Sequence, residues 1–209
     1  MNLLIFGSSI AWGAWDKEGG WAQRLKDLAY EKAENNFNNH TSVYCLGVSG
    51  DNSEGLLGRF DSEVKARSWE DEKLTIIIGI GMNDSQYILE EKQHRISEEQ
   101  FRKNLLTLIQ KSKKYNANLI FAGITPVDKR VDPIPWKPSA AYRIEFVKTY
   151  DHIVKEVAKQ ENIPYIELMS KFPTERLNEL LTDGLHPSTG GHKIIFEEVK
   201  KYLTEKEII

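Results

Sequence analysis

The sequence has one cysteine, Cys45, so no disulfide can form within the chain and oxidative folding plays no part in its stability. Cys45 lies in Val43–Val48, an apolar strand-like run, and reads as a small core residue there. The chain also lacks a surplus of either charge. Its 28 Lys and Arg stand against 31 Asp and Glu, a formal charge of −3, which gives a polyanion such as nucleic acid no electrostatic hold. The short lysine runs at Lys111–Lys114 and Lys200–Lys201 fall on helical stretches and read as solvated faces. No apolar stretch approaches the length of a membrane span. The apolar run at the N-terminus, Leu3–Phe6, is too short for a signal-peptide core and no basic segment precedes it, so a cytoplasmic location is expected. No His-x-His or His-Glu-x-x-His spacing occurs, so neither a metal nor another cofactor is expected.

Forty per cent hydrophobic residues in 209 suit one domain over 1–209. Short apolar runs alternate with longer amphipathic ones. Strands are predicted at Leu3–Phe6, Val43–Leu46, Leu74–Ile78, Leu119–Ala122 and Pro164–Ile166. Leu74–Ile78 is apolar throughout, as a strand covered on both faces requires. Helices are predicted over Trp21–Lys32, from an N-cap at Ser53 to about Ala66, over Glu98–Lys114 behind a Ser97/Gln100 capping box, over Ala140–Glu161 and over His192–Leu203, with a short one at Thr174–Leu181. Asn35–Thr41 reads as a polar loop. Such alternation points to a three-layer α/β/α sandwich around a five-stranded parallel sheet, and order 2-1-3-4-5 is expected. Sites in these sheets lie beyond the carboxyl ends of the strands.

Four polar segments sit where that rule directs attention. Gly7-Ser8-Ser9-Ile10 follows the first strand and sets a hydroxyl at the sheet edge, where it needs a base to become a nucleophile. Ser49-Gly50-Asp51-Asn52 follows the second, and its glycine lets the main chain present an N–H to a ligand. Gly81-Met82-Asn83-Asp84 follows the third and offers an amide that can donate to a developing oxyanion. Asp183-Gly184-Leu185-His186-Pro187 places a carboxylate three residues from an imidazole, a spacing that lets the acid hold one ring nitrogen and leave the other free as a base. Taken singly, each segment also reads as a plain turn.

Together, and in this order, they resemble the four blocks of the GDSL or SGNH hydrolase family, over almost the whole chain from Phe6 to Pro187. The resemblance implies a serine esterase or acylhydrolase, with Ser9 as nucleophile, His186 as base and Asp183 orienting it. The family spans carbohydrate acetylesterases, lysophospholipases, thioesterases and arylesterases; no residue chooses among them, and a small soluble ester or thioester is the expected substrate. It implies an oxyanion hole from the N–H groups of Ser9 and Gly50 and the side chain of Asn83. The family commonly has Asp before the nucleophile, where this chain has Ser8; that acid is not the one behind the histidine, so the chemistry is expected to survive. Trp12 and Trp15 read either as core and rim residues or as the lining of an acyl or sugar pocket. The proline-rich loop Val127–Pro138 fits a lid or a stiff surface loop equally.

A rival reading is a flavodoxin-like nucleotide or flavin binder whose Gly7–Gly13 loop cradles a phosphate. Five residues separate those glycines and no Gly-Lys pair follows, so the phosphate-loop spacing fails; Gly79-x-Gly81 lacks the third glycine of the dinucleotide fingerprint. Another is an inactive relative acting through protein contacts, against which all the family's site positions are filled. Acyl chain length and oligomeric state have no signal in the sequence.

Overall fold

The computed structural model describes residues 1–36, 40–69 and 71–209. In chain order the elements are β1 (Asn2–Gly7), α1 (Ser9–Trp12), α2 (Gly20–Asn35), β2 (Ser42–Gly47), α3 (Ser53–Lys65), β3 (Leu74–Gly79), β4 (Tyr87–Ile88), β5 (Gln93–His94), α4 (Glu98–Lys114), β6 (Asn118–Ala122), β7 (Ala140–Ala141), α5 (Ile144–Gln160), β8 (Tyr165–Ile166), α6 (Leu177–Leu180) and α7 (Thr189–Glu205). The polar loop expected at Asn35–Thr41 lies partly outside the described residues.

The main sheet is parallel, in the order β2-β1-β3-β6-β8, which is the expected 2-1-3-4-5 winding of the five crossover strands. Because successive side chains on a strand point to opposite faces, each central strand feeds two cores. Leu4 and Phe6 of β1 and Ile76 and Ile78 of β3 pack under α3, α4 and α5. Leu3, Ile5 and Ile77 pack under α2 and α7 with Leu25, Ile195 and Val199. Gly7, Gly47 and Gly79 stand in register at the carboxyl end of β1, β2 and β3, so the segments after these three strands open on one edge. Gly47 is required by packing: a Cβ there would come within 2.2 Å of the Trp12 backbone nitrogen, where α1 crosses the sheet edge.

Several local expectations are corrected. Cys45 is exposed, because β2 is an edge strand with a partner on one side only. The N-cap of α3 is Asn52, whose side chain accepts from Gly55 N–H at 2.9 Å, while Ser53 is the first helical residue. At α4 half of the capping box forms: Ser97 Oγ accepts from Gln100 N–H, but the Gln100 amide donates forward to Asn104. The helix expected over Thr174–Leu181 divides into a 3-10 turn at Thr174–Arg176 and the single-turn α6. The long helix expected from Ala140 begins at Ile144. Ala140–Ala141 instead pairs antiparallel with Tyr87–Ile88, forming a small three-stranded sheet β5-β4-β7. Alanine favours helix by only fractions of a kcal/mol per residue, and strand pairing outweighs that preference.

Candidate active site

Ser9 opens α1, one turn long, directly after β1, and Gly13 closes it in the left-handed region at φ 92°. Ser9 Oγ lies 2.9 Å from His186 Nε2, and His186 Nδ1 lies 2.7 Å from Asp183 Oδ2. Hydroxyl, imidazole and carboxylate are thus in line, joined across 177 residues of chain between Ser9 and His186. Ser8 is also buried, but it lines a small, largely apolar cavity with Ala11, Trp21 and Ile195.

The loop carrying the imidazole is fixed from within. Thr182 N–H donates to the His186 carbonyl at 2.8 Å and Ser188 N–H to that of Leu180, making a bridge between Leu181 and Pro187. Asp183 Oδ1 accepts from the backbone N–H groups of Leu185 and His186 at 3.0 and 2.8 Å, which leaves Oδ2 for the ring. Burial works to raise the Asp183 carboxyl, but the His186 ring and those backbone donors outweigh it and hold the group at about 2. The carboxylate is therefore charged throughout the neutral range. From the proline-rich loop, Arg130 donates to the carbonyls of Leu181 and Thr182 and ties that loop to this one.

Trp15 adds a contact that sequence reasoning did not supply. Its indole N–H donates to Asp183 Oδ2 at 2.9 Å. The same nitrogen is 3.3 Å from His186 Nδ1, but a ring nitrogen that donates to the carboxylate has no lone pair to offer, so the carboxylate is the acceptor. Trp15 adopts φ 66°, a region that bulky residues seldom occupy and that tertiary contacts must stabilise. With Trp12, Ser49 and His186 it lines a cleft of about 520 Å3. The Trp136 ring is stacked with the imidazole, 6.2 Å between centroids and 28° between planes.

Gly50 sits at φ 79° on a turn after β2, with nothing within 4 Å of where a Cβ would stand. The glycine there serves the backbone conformation rather than packing. Asn83 is buried and its Nδ2 donates to the Asp51 carbonyl at 2.8 Å, bringing the segment after β3 against the turn that holds Gly50. Arg59 braces the same corner, donating to Asp51 Oδ2 at 2.9 Å and to the Gly7 carbonyl at 3.3 Å. Asp84, which the sequence marks only as a turn former, is wholly buried and accepts from the Ser53 N–H and hydroxyl at the start of α3. Burial pushes its carboxyl up to about 6, against those hydrogen bonds.

His192 stands apart from this cluster. It is fully buried, its Nδ1 accepts from Trp21 N–H, its Nε2 donates to the Ala14 carbonyl, and burial lowers its proton affinity. Both ring nitrogens are committed to backbone, so the ring braces the Trp15 turn and has no site for a metal.

The model of the GDSL-like lipase/acylhydrolase family matches residues 5–194. A GDSL esterase/lipase from Arabidopsis thaliana is 26% identical over 99% of this chain and 87% of its own length. An uncharacterized lipoprotein from Bacillus subtilis is 22% identical over 95% and 88%. Among solved structures, the lipase/acylhydrolase from Enterococcus faecalis superposes with a TM-score of 0.74 at 24% identity, covering 98% of this chain and 96% of that one. An acetylxylan esterase from Geobacillus stearothermophilus gives 0.71 at 18% identity, over 98% and 93%.

Proposed function

This chain belongs to the GDSL-like lipase/acylhydrolase family and is a carboxylic ester hydrolase, and from that premise we propose that it works through an acyl-enzyme on Ser9. The observation that carries the reading is the continuous line Ser9 Oγ–His186 Nε2 and His186 Nδ1–Asp183 Oδ2, at 2.9 and 2.7 Å. Ser9 Oγ attacks the ester carbonyl carbon while Nε2 takes its proton. Asp183, already ionised, fixes the tautomer and stabilises the imidazolium. Negative charge on the carbonyl oxygen falls to the N–H groups of Ser9 and Gly50 and to Asn83 Nδ2. The Ser9 N–H is in the first turn of α1, where a helix offers no carbonyl of its own. The intermediate collapses, Nε2–H protonates the departing alcohol, and water then repeats the sequence on the acyl group.

The tryptophans support a substrate whose alcohol has a flat face, as a sugar ring does. Trp12 and Trp15 are 62% and 63% exposed on the cleft beside His186, and Trp136 is 56% exposed over the ring. Large apolar surface kept open at one place calls for a ligand to cover it.

Labelling by a fluorophosphonate probe and turnover of p-nitrophenyl acetate test the chemistry. Both are expected in the native protein, both should vanish in Ser9→Ala, and both should persist in Ser8→Ala. Activity that survives Ser9→Ala and disappears in Ser8→Ala refutes the assignment. A panel of p-nitrophenyl esters of rising chain length, set against acetylated monosaccharides, reads the acyl limit and the alcohol preference.

A further inference from the structure

Behind Asn83 runs a chain of side chains to which the reaction, as described, assigns no part. Lys137 Nζ, on the proline-rich loop, donates to Gln86 Oε1 at 2.8 Å. Gln86 Nε2 donates to the Tyr142 hydroxyl at 2.9 Å, and that hydroxyl donates to Asn83 Oδ1 at 2.5 Å. Asn83 Nδ2 donates in turn to the Asp51 carbonyl. An ammonium can only donate and a carbonyl can only accept. The two ends therefore dictate the direction of every bond between them. Gln86 must turn its oxygen to Lys137 and its nitrogen to Tyr142, and Asn83 must turn its oxygen to Tyr142. The amide nitrogen is left facing Asp51, with its second hydrogen unspent.

We propose that Tyr142, held by Gln86 and Lys137, is a positioning residue that orients and polarises the Asn83 amide as an oxyanion donor. The proposal rests on the reading of Asn83 given above. Four features support it. Rotation of the Asn83 amide would set its oxygen against the Asp51 carbonyl oxygen and its nitrogen against the Tyr142 hydroxyl, which already receives a hydrogen from Gln86. Hydrogen bonds aligned head to tail strengthen one another in a buried setting, and here a positive charge starts the series. Asn83, Gln86 and Tyr142 are all nearly inaccessible, so water does not compete for them. Burial pushes the Tyr142 hydroxyl up to about 12, so it keeps the proton it donates across the working range.

The test is a double-mutant cycle on Ser9-dependent p-nitrophenyl acetate hydrolysis. Tyr142→Phe should lower kcat roughly tenfold, the scale of one buried hydrogen bond, with KM unchanged. In an Asn83→Ala background the same substitution should change kcat less than about twofold, because its effect passes through the amide. Lys137 is exposed, so Lys137→Met keeps the fold intact should Tyr142→Phe disturb it; kcat should fall roughly threefold at constant KM and melting temperature, and Lys137→Arg should restore it. A purely structural tyrosine would lower stability and act equally in both backgrounds. Full kcat in Tyr142→Phe, or an equal loss with and without Asn83, overturns the proposal. Full kcat in Lys137→Met removes the lysine from it. Absence of Ser9-dependent turnover in the native protein overturns the esterase reading beneath it, a result distinct from turnover that merely ignores Tyr142.

Discussion

Replacing Asn83 by alanine removes two things that can be measured separately. One is the amide hydrogen proposed to meet the oxyanion. Loss of one such donor from a preorganised site costs ~3–4 kcal/mol in the barrier, roughly a hundred- to a thousandfold in kcat, with little change in KM because the ground-state carbonyl gains much less from it. The other is structural: the Tyr142 hydroxyl and the Asp51 carbonyl lose their Asn83 partner in a buried corner. An unpaired buried group costs ~1–3 kcal/mol, and for a chain of this size each kcal/mol lowers the melting temperature by roughly 2–4 °C. Steady-state kinetics with p-nitrophenyl acetate, well below the melt, isolate the first effect, and a thermal melt reads the second. Asn83→Asp sharpens the distinction. It keeps an acceptor for Tyr142 at nearly the same volume but sets an acidic oxygen toward the developing charge, so its kcat should fall at least as far as that of alanine. A folded Asn83→Ala protein with kcat within about threefold of native refutes the oxyanion role.

Other perturbations probe the remaining groups. Gly50→Ala forces a Cβ into φ 79°; where φ is positive alanine costs ~1 kcal/mol or more, and if the proposed oxyanion hole draws on the N–H of this turn, kcat should fall by more than that strain accounts for. Trp15→Phe removes one of the donors on Asp183 Oδ2 and should lower kcat roughly two- to fivefold while the phosphonate probe still labels Ser9; an unchanged rate makes the contact incidental. For Asp84 the sign follows from a folded value near 6, above the ordinary carboxylate value of 3.8. Its favourable contribution is complete below about 3.8 and is lost as pH rises through about 6. The melting temperature of Asp84→Asn should therefore gain on that of the native protein between pH 4 and 7; a difference that stays constant with pH contradicts the burial argument.

The winding was legible because apolar runs of strand length alternate with amphipathic runs of helix length, and because Ile76–Ile78 can be satisfied only by cover on both faces. Local signals failed where a tertiary partner outbid them. Ala140–Ala141 pairs with β4 although alanine prefers helix, and Cys45 is exposed although its neighbours in sequence are apolar. The first of these has a consequence for the site: the extended stretch carries the chain into Tyr142, beside Asn83, one residue before the helix cap at Arg143. Nothing in the spacing of Tyr142, Gln86 and Lys137 announces that they share a hydrogen-bonded chain.

The amino-acid sequence by itself determined which segments end strands and which polar residues stand there, since strand length, turn chemistry and the period of the apolar residues are local properties. It also carried the three-residue spacing of Asp183 and His186, which one loop can satisfy. Only the tertiary structure decided that Ser9 meets that imidazole, that Trp15 donates to the acid behind it, and which way the Asn83 amide points. Those outcomes depend on hydrogen-bond direction and on side chains tens of residues apart arriving at one sheet edge, and such distances are fixed by packing alone.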